Sequence, residues 1–365
     1  MRRILSLAVV TAAAVATLSS QGKFSGYMFG DYYFNIARGG SFGSLANTAS
    51  SGAAPGTTAM QAFQFRRMYF TYDNDISEKF TSRFRLEVDQ AALTSNAKIG
   101  TFVKDAYLRW RTIFGTSDLF FFGIQPTPAF EISEAAWGYR SIEKTIMDLR
   151  GVVASRDFGV SLQGKLTENG MFNYWAMIAN GAGTSSVEND KYKRYYAHVQ
   201  VKPTQTLQAT INIDYLSRAD VADPYRPGTK IENGMTTISA FGGYSEGVIS
   251  ASIEGFLQST SNGYNDGTAL AGKNGFGFSL FGSYSLQPDM AVLGRYDYFD
   301  PNIDTKVAAY GDIRHYIILG FSWKPDKNVS VIPNILYEAY ENAALTNIAY
   351  DASVTMRVTL YYVFL

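Results

Sequence analysis

Runs of about ten residues in which apolar and polar side chains alternate make up most of the chain after residue 23, as in membrane-spanning strands. In the run Phe80–Asp89, one parity holds Phe80, Phe84, Leu86 and Val88, and the other holds Arg83, Arg85, Glu87 and Asp89. Successive side chains of a β-strand point to opposite faces, so this run predicts a strand with one apolar and one charged face. Short turns and long loops alternate between the runs. This pattern predicts an all-β chain that forms a transmembrane antiparallel β-barrel.

We predict about sixteen strands, an even number, as in single-chain bacterial barrels. The predicted strands are Phe24–Asn35, Phe63–Asn74, Phe80–Asp89, Phe102–Arg111, Leu119–Gln125, Asp157–Leu166, Phe172–Ala179, Tyr195–Lys202, Leu207–Leu216, Thr236–Tyr244, Val248–Leu257, Phe276–Tyr284, Met290–Phe299, Arg314–Trp323, Val329–Tyr340 and Asp351–Leu365. The short turns are expected on the periplasmic side. The long connections, such as Pro126–Arg156 and Gln258–Gly275, are expected outside. A soluble β-sandwich or propeller, the alternative, has no reason to alternate its loop lengths.

Residues 1–20 have the features of a secretory signal peptide. Arg2 and Arg3 precede the apolar stretch Ile4–Leu18, and small residues follow. We expect cleavage near Ser19 or Ser20, with Ala16 as the alternative site. A spanning helix needs ~20 apolar residues, and this stretch is shorter. The predicted organisation is therefore a signal peptide over residues 1–20 and one barrel domain over residues 21–365.

The composition limits the classes of partner. Hydrophobic residues make up 46% of the chain and aromatic residues 15%, and alternating strands would place much of this surface against a lipid bilayer. The 32 Lys and Arg residues balance the 32 Asp and Glu residues, so no nucleic-acid partner is expected. The absence of cysteine argues against a small disulfide-bonded scaffold.

The polar parity of the strands predicts a wet, charged lumen. Its predicted basic residues are Arg83, Arg85, Arg109, Arg111, Lys165, Lys202, Arg295 and Arg357. Its predicted acidic residues are Glu87, Asp89, Asp105 and Asp297. Strand directions place Arg83 at the height of Arg109 and predict a basic periplasmic belt beneath a mixed belt. Such a belt would favour anions. The alternative is that opposite charges pair and leave little selectivity.

The long connection Pro126–Arg156 has its own apolar pattern. Ile142, Ile146 and Leu149 fall on one face of a predicted helix over Ser141–Arg150. That face must be buried, and the barrel interior is the nearest place, so the loop is expected to fold inward and narrow the pore. Its predicted constriction residues are Glu131, Glu134, Arg140, Lys144, Asp148 and Arg150. A surface or subunit-contact loop is the alternative.

Several stretches resemble the phosphate-selective porin O and P family of bacterial outer-membrane channels. They are Phe65–Phe70, Val103–Leu108, Phe122–Glu131, Arg156–Val160, Ile178–Ala182 and Arg295–Asp300. The resemblance implies a sixteen-stranded homotrimeric barrel whose third external loop, here Pro126–Arg156, forms the constriction. It also implies that Arg83, Arg85, Arg109 and Arg111 correspond to the family's arginine ladder. The loop departs from the family's lysine-rich constriction, because Lys144 is its only lysine.

The C-terminal strand and the two histidines complete the functional prediction. Outer-membrane barrels commonly end on an aromatic residue that the barrel-assembly machinery recognises, and we expect Phe364 to take this role although Leu365 follows it. His198 and His315 are not spaced with carboxylates as a catalytic or metal site requires. No catalytic residue, cofactor or metal is therefore predicted.

The sequence predicts an outer-membrane porin for passive diffusion of small hydrophilic solutes, with a modest preference for anions. One alternative is a channel specific for phosphate or another anion. The other is a closed, adhesin-like or structural barrel without channel activity.

Overall fold

The computed structural model describes residues 22–38, 58–93, 98–115, 117–184, 188–304, 313–341 and 351–365. The predicted signal peptide lies outside these ranges. No helix in the described ranges is long and apolar enough to cross a membrane.

Sixteen antiparallel strands close into one barrel, which confirms the predicted fold class. They are β1 (Lys23–Ala37), β2 (Gln61–Asp75), β3 (Phe80–Leu93), β4 (Ile99–Arg111), β5 (Leu119–Pro126), β6 (Arg156–Lys165), β7 (Phe172–Ala179), β8 (Arg194–Val201), β9 (Leu207–Leu216), β12 (Met235–Glu246), β13 (Ile249–Asn265), β14 (Leu270–Gln287), β15 (Met290–Asp300), β16 (Arg314–Asp326), β17 (Val329–Tyr340) and β18 (Ser353–Val363). Two short strands, β10 (Val221–Ala222) and β11 (Lys230–Ile231), form a separate hairpin in an external connection. The first strand pairs with the last, with Tyr27 opposite Val363.

One predicted external loop is largely strand. The prediction placed a loop over Gln258–Gly275, but β13 and β14 continue to pair as far as Asn265 and Leu270. The residues in this extension are polar and rich in glycine, so they lack the apolar alternation by which the membrane-spanning part was predicted. The hairpin of β13 and β14 is therefore longer than predicted.

Burial separates the two faces of the strands as the alternation predicts. On β3, Phe84 is 42% exposed on the outside of the barrel, whereas Glu87 is 1% exposed on the inside. The inner face is nevertheless not polar all round. Between β12 and β17 it carries buried apolar side chains, namely Phe241, Phe281, Leu293, Ile318, Ile332 and Leu336. This part of the wall needs an apolar partner inside the barrel.

That partner is the third external connection, which folds into the barrel. It contains helix α1 (Glu131–Trp137) and the single turn α2 (Ile146–Leu149). The prediction of a helix over all of Ser141–Arg150 is wrong, and α1 was not predicted. The apolar positions were correctly identified, because Ile142 and Ile146 are fully buried and Leu149 is 6% exposed.

The missing helical turns have a physical reason in the surrounding wall. Backbone carbonyl groups of Ser141, Ile142 and Lys144 accept hydrogen bonds from Arg66 and Arg295 of the barrel. The arginine guanidinium groups thus donate hydrogen bonds to loop carbonyl oxygens. In a longer helix, the backbone N–H groups of the helix itself would donate to these oxygens. The sequence pattern of the loop alone does not contain these donors.

Candidate functional site

The inward loop, residues 127–155, packs through two apolar clusters onto the wall. The first contains Ala129, Phe130, Ile146, Met147, Val152 and Val153 of the loop with Met177, Ala179, Tyr196 and Phe256 of the barrel. The second contains Trp137, Ile142 and Leu149 of the loop with Phe241, Phe281, Leu293, Tyr316, Ile318, Ile332 and Leu336. The loop therefore rests against one side of the lumen and leaves its charged face toward the other.

Three arginines of the wall hold the turn between the two helices. Arg66 donates to the carbonyl oxygens of Ser141 and Ile142 at 2.6 and 2.8 Å, and Arg357 donates to that of Ile142 at 2.8 Å. Arg295 donates to the carbonyl of Lys144. The predicted lumen residues Arg295 and Arg357 are 3% and 2% exposed. They lie on the inner face, but the loop covers them, and the structure gives them an anchoring role.

Three more polar contacts tie the loop to the wall. Arg150 donates to Glu338 of β17 at 2.8 Å. The backbone N–H of Ile146 donates to Glu254 of β13 at 3.2 Å, and Gln258 donates to a loop carbonyl at 2.8 Å. Arg150, predicted as a constriction residue, thus points to the wall that carries the loop. Asp297 is fully buried and pairs with Arg295, so it too lies under the loop.

The loop carries a compact group of charges on its other face. Arg140 forms ion pairs with Glu134 at 3.0 Å and with Asp148 at 3.6 Å, and Lys144 pairs with Asp148 at 3.4 Å. Burial tends to raise the pKa of the Asp148 carboxyl, but Lys144 and Arg140 outweigh it, so the pKa is lowered. Burial raises the pKa of the Glu134 carboxyl despite Arg140, and Asp148 adds to the rise. Glu134 therefore takes up a proton before Asp148 as the pH falls.

The facing wall, on β2 to β4, carries a matching group of charges. Arg67 pairs with Glu87 at 3.2 Å and with Asp89 at 2.9 Å. Lys104 pairs with the same Glu87 at 3.0 Å. Charges of both signs thus lie on the wall that faces the loop.

A second set of ion pairs joins this wall to the base of the loop. Arg85 pairs with Asp105 at 3.3 Å, and Arg156 contacts both Asp105 and Glu131 of the loop, the latter at 3.3 Å. Asp105 is fully buried, whereas the Glu131 carboxyl is 36% exposed. The structure therefore brings Glu131, Glu134, Arg140, Lys144 and Asp148 together with the predicted wall residues around one region of the lumen.

Below the loop, toward the short turns, a cavity of about 310 Å³ has a basic lining. Lys23, Arg83, Arg109 and Arg111 contribute to it together with Asp73 and Asp75. Arg83 donates to both carboxylate oxygens of Asp73, at 2.7 and 2.9 Å, and Arg111 donates to Asp75 at 3.0 Å. Asp73 and Asp75 were not among the predicted lumen residues, and they neutralise part of the predicted basic belt.

The relative heights of the wall residues differ slightly from the prediction. Arg83 lies opposite Tyr107, and Arg109 lies opposite Thr81, so Arg83 and Arg109 are offset by two residues. Arg109 donates to the Thr81 hydroxyl at 2.8 Å and, within the described ranges, forms no ion pair. Its charge is thus left for the lumen.

Lys165 and Lys202 stand apart from this group. Lys165 is the exposed last residue of β6, and Lys202 is the exposed residue that follows β8. Lys202 lines a separate cavity of about 270 Å³ with Ala135 of the loop and Gln208. These lysines do not form one continuous ring with the arginines of β3 and β4.

Sequence analysis missed three basic lumen residues, because β-bulges break the strict alternation. In β2, Arg67 pairs with Phe29 and Phe65 pairs with Gly30, so Arg66 is the extra residue of a bulge. The bulge buries both Arg66 and Arg67 on the inside of the barrel. A bulge in β4 brings Lys104 to the inside next to Asp105. One feature of the sequence could have revealed these bulges. Strict alternation would place a charged residue on the lipid-facing side of the strand, where a charge is unfavourable.

The architecture defines the class of fold. A closed sixteen-stranded antiparallel barrel with its third external loop folded into the lumen is the fold of bacterial outer-membrane porins. No family model matches the chain, and no curated protein matches it.

Solved structures of outer-membrane channels are similar to the chain over most of its length. The outer-membrane channel DcaP of Acinetobacter baumannii has 14% sequence identity and a TM-score of 0.64, over 94% of this chain and 97% of that chain. The trimer form of OmpT, an outer-membrane protein of Vibrio cholerae, has 13% identity and a TM-score of 0.59, over 94% and 99%. An anion-selective porin from Comamonas acidovorans has 13% identity and a TM-score of 0.57, over 94% and 100%. At these identities the likeness concerns the fold alone, and membership of the phosphate-selective O and P family stays a prediction.

Proposed function

We propose that the protein is an outer-membrane porin through which small hydrophilic solutes diffuse passively, with a modest preference for anions. The carrying observation is the charged face of the loop opposite the charged wall of β2 to β4. Four basic side chains remain partly exposed inside the barrel. Their exposed fractions are 31% for Arg83, 18% for Arg85, 17% for Arg140 and 18% for Lys144. Charged groups keep such exposure where water reaches them, so a wet passage runs between loop and wall.

The anion preference rests on the balance of charge below the loop. Four basic and two acidic side chains line that cavity. A surplus of positive charge between low-dielectric walls raises the local concentration of anions. At the height of the loop, ion pairs largely cancel each other, which keeps the preference modest. Phosphate is one anion that Arg109 could bind, and the resemblance to the O and P family supports testing it.

The same proposal includes the compartment and the assembly. The protein is exported through residues 1–20, inserted into the outer membrane by the barrel-assembly machinery through its C-terminal strand, and assembled as a homotrimer. The similarity to the trimer form of a Vibrio cholerae outer-membrane protein supports the last point. We assign the protein no enzymatic activity.

Single-channel recording in a planar bilayer under a KCl gradient tests this function. We expect steady conductance with a chloride-directed reversal potential, which Arg109→Gln moves toward zero. Arg226→Gln, at an external side chain that is 69% exposed, is the matched control and leaves the potential unchanged. A potassium-directed potential would contradict the anion preference and leave a general porin. Block by millimolar phosphate would favour the phosphate-specific alternative.

The number of loop anchors favours one competing function, a closed structural barrel. Arg66, Arg150, Arg295 and Arg357 all hold the loop inside the lumen. A liposome-swelling assay separates the two functions, because a closed barrel admits no solute. Absence of swelling by correctly folded protein would contradict the porin proposal.

A further inference from the structure

A third cavity lies at the short-turn end of the barrel, between the loop and the wall formed by β1, β14, β16, β17 and β18. Its volume is about 520 Å³, and residues Ala136 to Ser141 of the loop form one side. Sites for small molecules have volumes of about 300–1,000 Å³. The cavity is therefore large enough to hold a small organic solute.

Aromatic side chains from two different elements line this cavity. Tyr27 and Tyr361 come from adjacent strands of the wall, and their ring centroids lie 5.6 Å apart. Trp137 and Tyr139 come from the loop, and their centroids lie 5.5 Å apart. Rings on both the loop and the wall offer flat apolar surface to a ring-shaped solute. The basic cavity beside Arg83 has Tyr107 as its one aromatic lining residue among those described.

The polar groups of the cavity are donors of hydrogen bonds and positive charges. Lys324 supplies a positive charge, Arg140 adds a guanidinium group that is already paired with Glu134 and Asp148, and Ser283 and Ser330 are among the hydroxyl groups. No carboxylate or amide side chain belongs to the described lining. Lys324 is exposed on the inner face of β16 and forms no ion pair with any described residue. Its charge is thus available to a bound anion.

We infer that this cavity is a binding site for aromatic carboxylates on their way through the pore. The ring of the solute lies between Tyr361 and Tyr139, and its carboxylate accepts hydrogen bonds from Lys324 and a serine hydroxyl. A neutral sugar fits less well, because its many hydroxyl groups need acceptors that the lining does not offer apart from serine and tyrosine oxygens. The inference names a substrate class and rests on the proposed porin function.

Block of the chloride current by benzoate tests the inference. Wild-type channels are recorded in KCl with benzoate, with acetate, which has the charge without the aromatic ring, and with glucose, which is a neutral sugar. We expect benzoate to interrupt the current at concentrations at which acetate and glucose do not. Lys324→Gln should weaken the block about tenfold, the effect of one charge-assisted hydrogen bond. Tyr361→Leu should reduce the ratio of benzoate block to acetate block.

Lys165→Gln is the matched control for the lysine, because Lys165 is also exposed at the short-turn end but does not line the cavity. Equal block by benzoate and acetate, unaffected by Lys324→Gln, would overturn the inference and leave the porin function intact. Block by glucose that Tyr361→Leu relieves would also overturn it and assign the cavity to sugars. Folded protein without any KCl conductance would contradict the proposed function itself.

Discussion

The ion pair between Arg150 and Glu338 gives the sharpest prediction about the inward loop. Its N–O distance is 2.8 Å, and the two side chains are 1% and 7% exposed. The Arg150 guanidinium also lies over the rings of Phe299 and Tyr316, at 5.6 and 5.7 Å. Glu338→Ala leaves a buried cation without its carboxylate, a change that costs about 3–5 kcal/mol. The ring contacts remain, so we expect a cost of about 3 kcal/mol, at the lower end of that range.

Because about 1.4 kcal/mol corresponds to a tenfold change, the ratio of docked to undocked loop should fall on the order of 100-fold. Single-channel recording should detect this as frequent excursions to a larger current, since an undocked loop no longer narrows the lumen. Glu338→Gln retains an acceptor and should have a smaller effect. Arg226→Gln is the control, because it breaks the external pair with Asp223 from the arginine side, where the side chain is 69% exposed, and a pair with such an exposed partner contributes little. Glu338→Ala channels with wild-type current levels and dwell times would refute the anchoring role.

Three further predictions address charge, assembly and backbone packing. Lowering the pH into the acidic range should strengthen the chloride preference, because the pKa of Glu134 is raised and that of Asp148 is lowered, so Glu134 loses its negative charge first. Glu134→Gln should remove most of this dependence, and a reversal potential that does not change with pH in wild type would contradict the assignment. Phe364→Ala should lower the amount of assembled barrel in cells, measured by heat-modifiable migration, more than Leu365→Ala does. Wild-type assembly of Phe364→Ala would show that this ring is not required. Gly123→Ala should lower the free energy of unfolding by at least about 2 kcal/mol and lower the melting temperature. The added Cβ would lie 2.2 Å from the Ala106 carbonyl oxygen, and the φ of Gly123 is 130°. Gly272→Ala, where no atom lies within 4 Å, is the control, and equal melting temperatures would refute the clash.

Local alternation was sufficient to predict the barrel strands. On β3, every charged position from Arg83 to Asp89 lies inside, because a two-residue period places side chains on opposite faces without help from the rest of the fold. The closure of β1 against β18 also followed, since the unpaired edges of a membrane sheet would otherwise meet lipid. The burial of Ile142 and Ile146 followed from their apolar spacing.

The candidate site was less predictable, because contacts between distant segments decide it. The two-residue period failed at the bulges of β2 and β4, which bring Arg66 and Lys104 inside. The helix predicted over Ser141–Arg150 failed because barrel arginines take the loop carbonyls. The pairing of Arg83 with Asp73 depends on the register between β2 and β3. None of these partners is close in the sequence.

The sequence by itself determined the sixteen-stranded barrel and, outside the bulges of β2 and β4, the sides of its strands, because both depend on the local period and on the need to satisfy every backbone hydrogen bond in lipid. Only the tertiary structure decided which lumen charges pair, which are covered by the loop and which remain wet. These outcomes depend on how the loop packs on the apolar inner wall between β12 and β17, which includes Phe281 and Ile318. Ion pairing and burial require distances of a few ångströms between segments that the chain folds together, and no local pattern contains those distances.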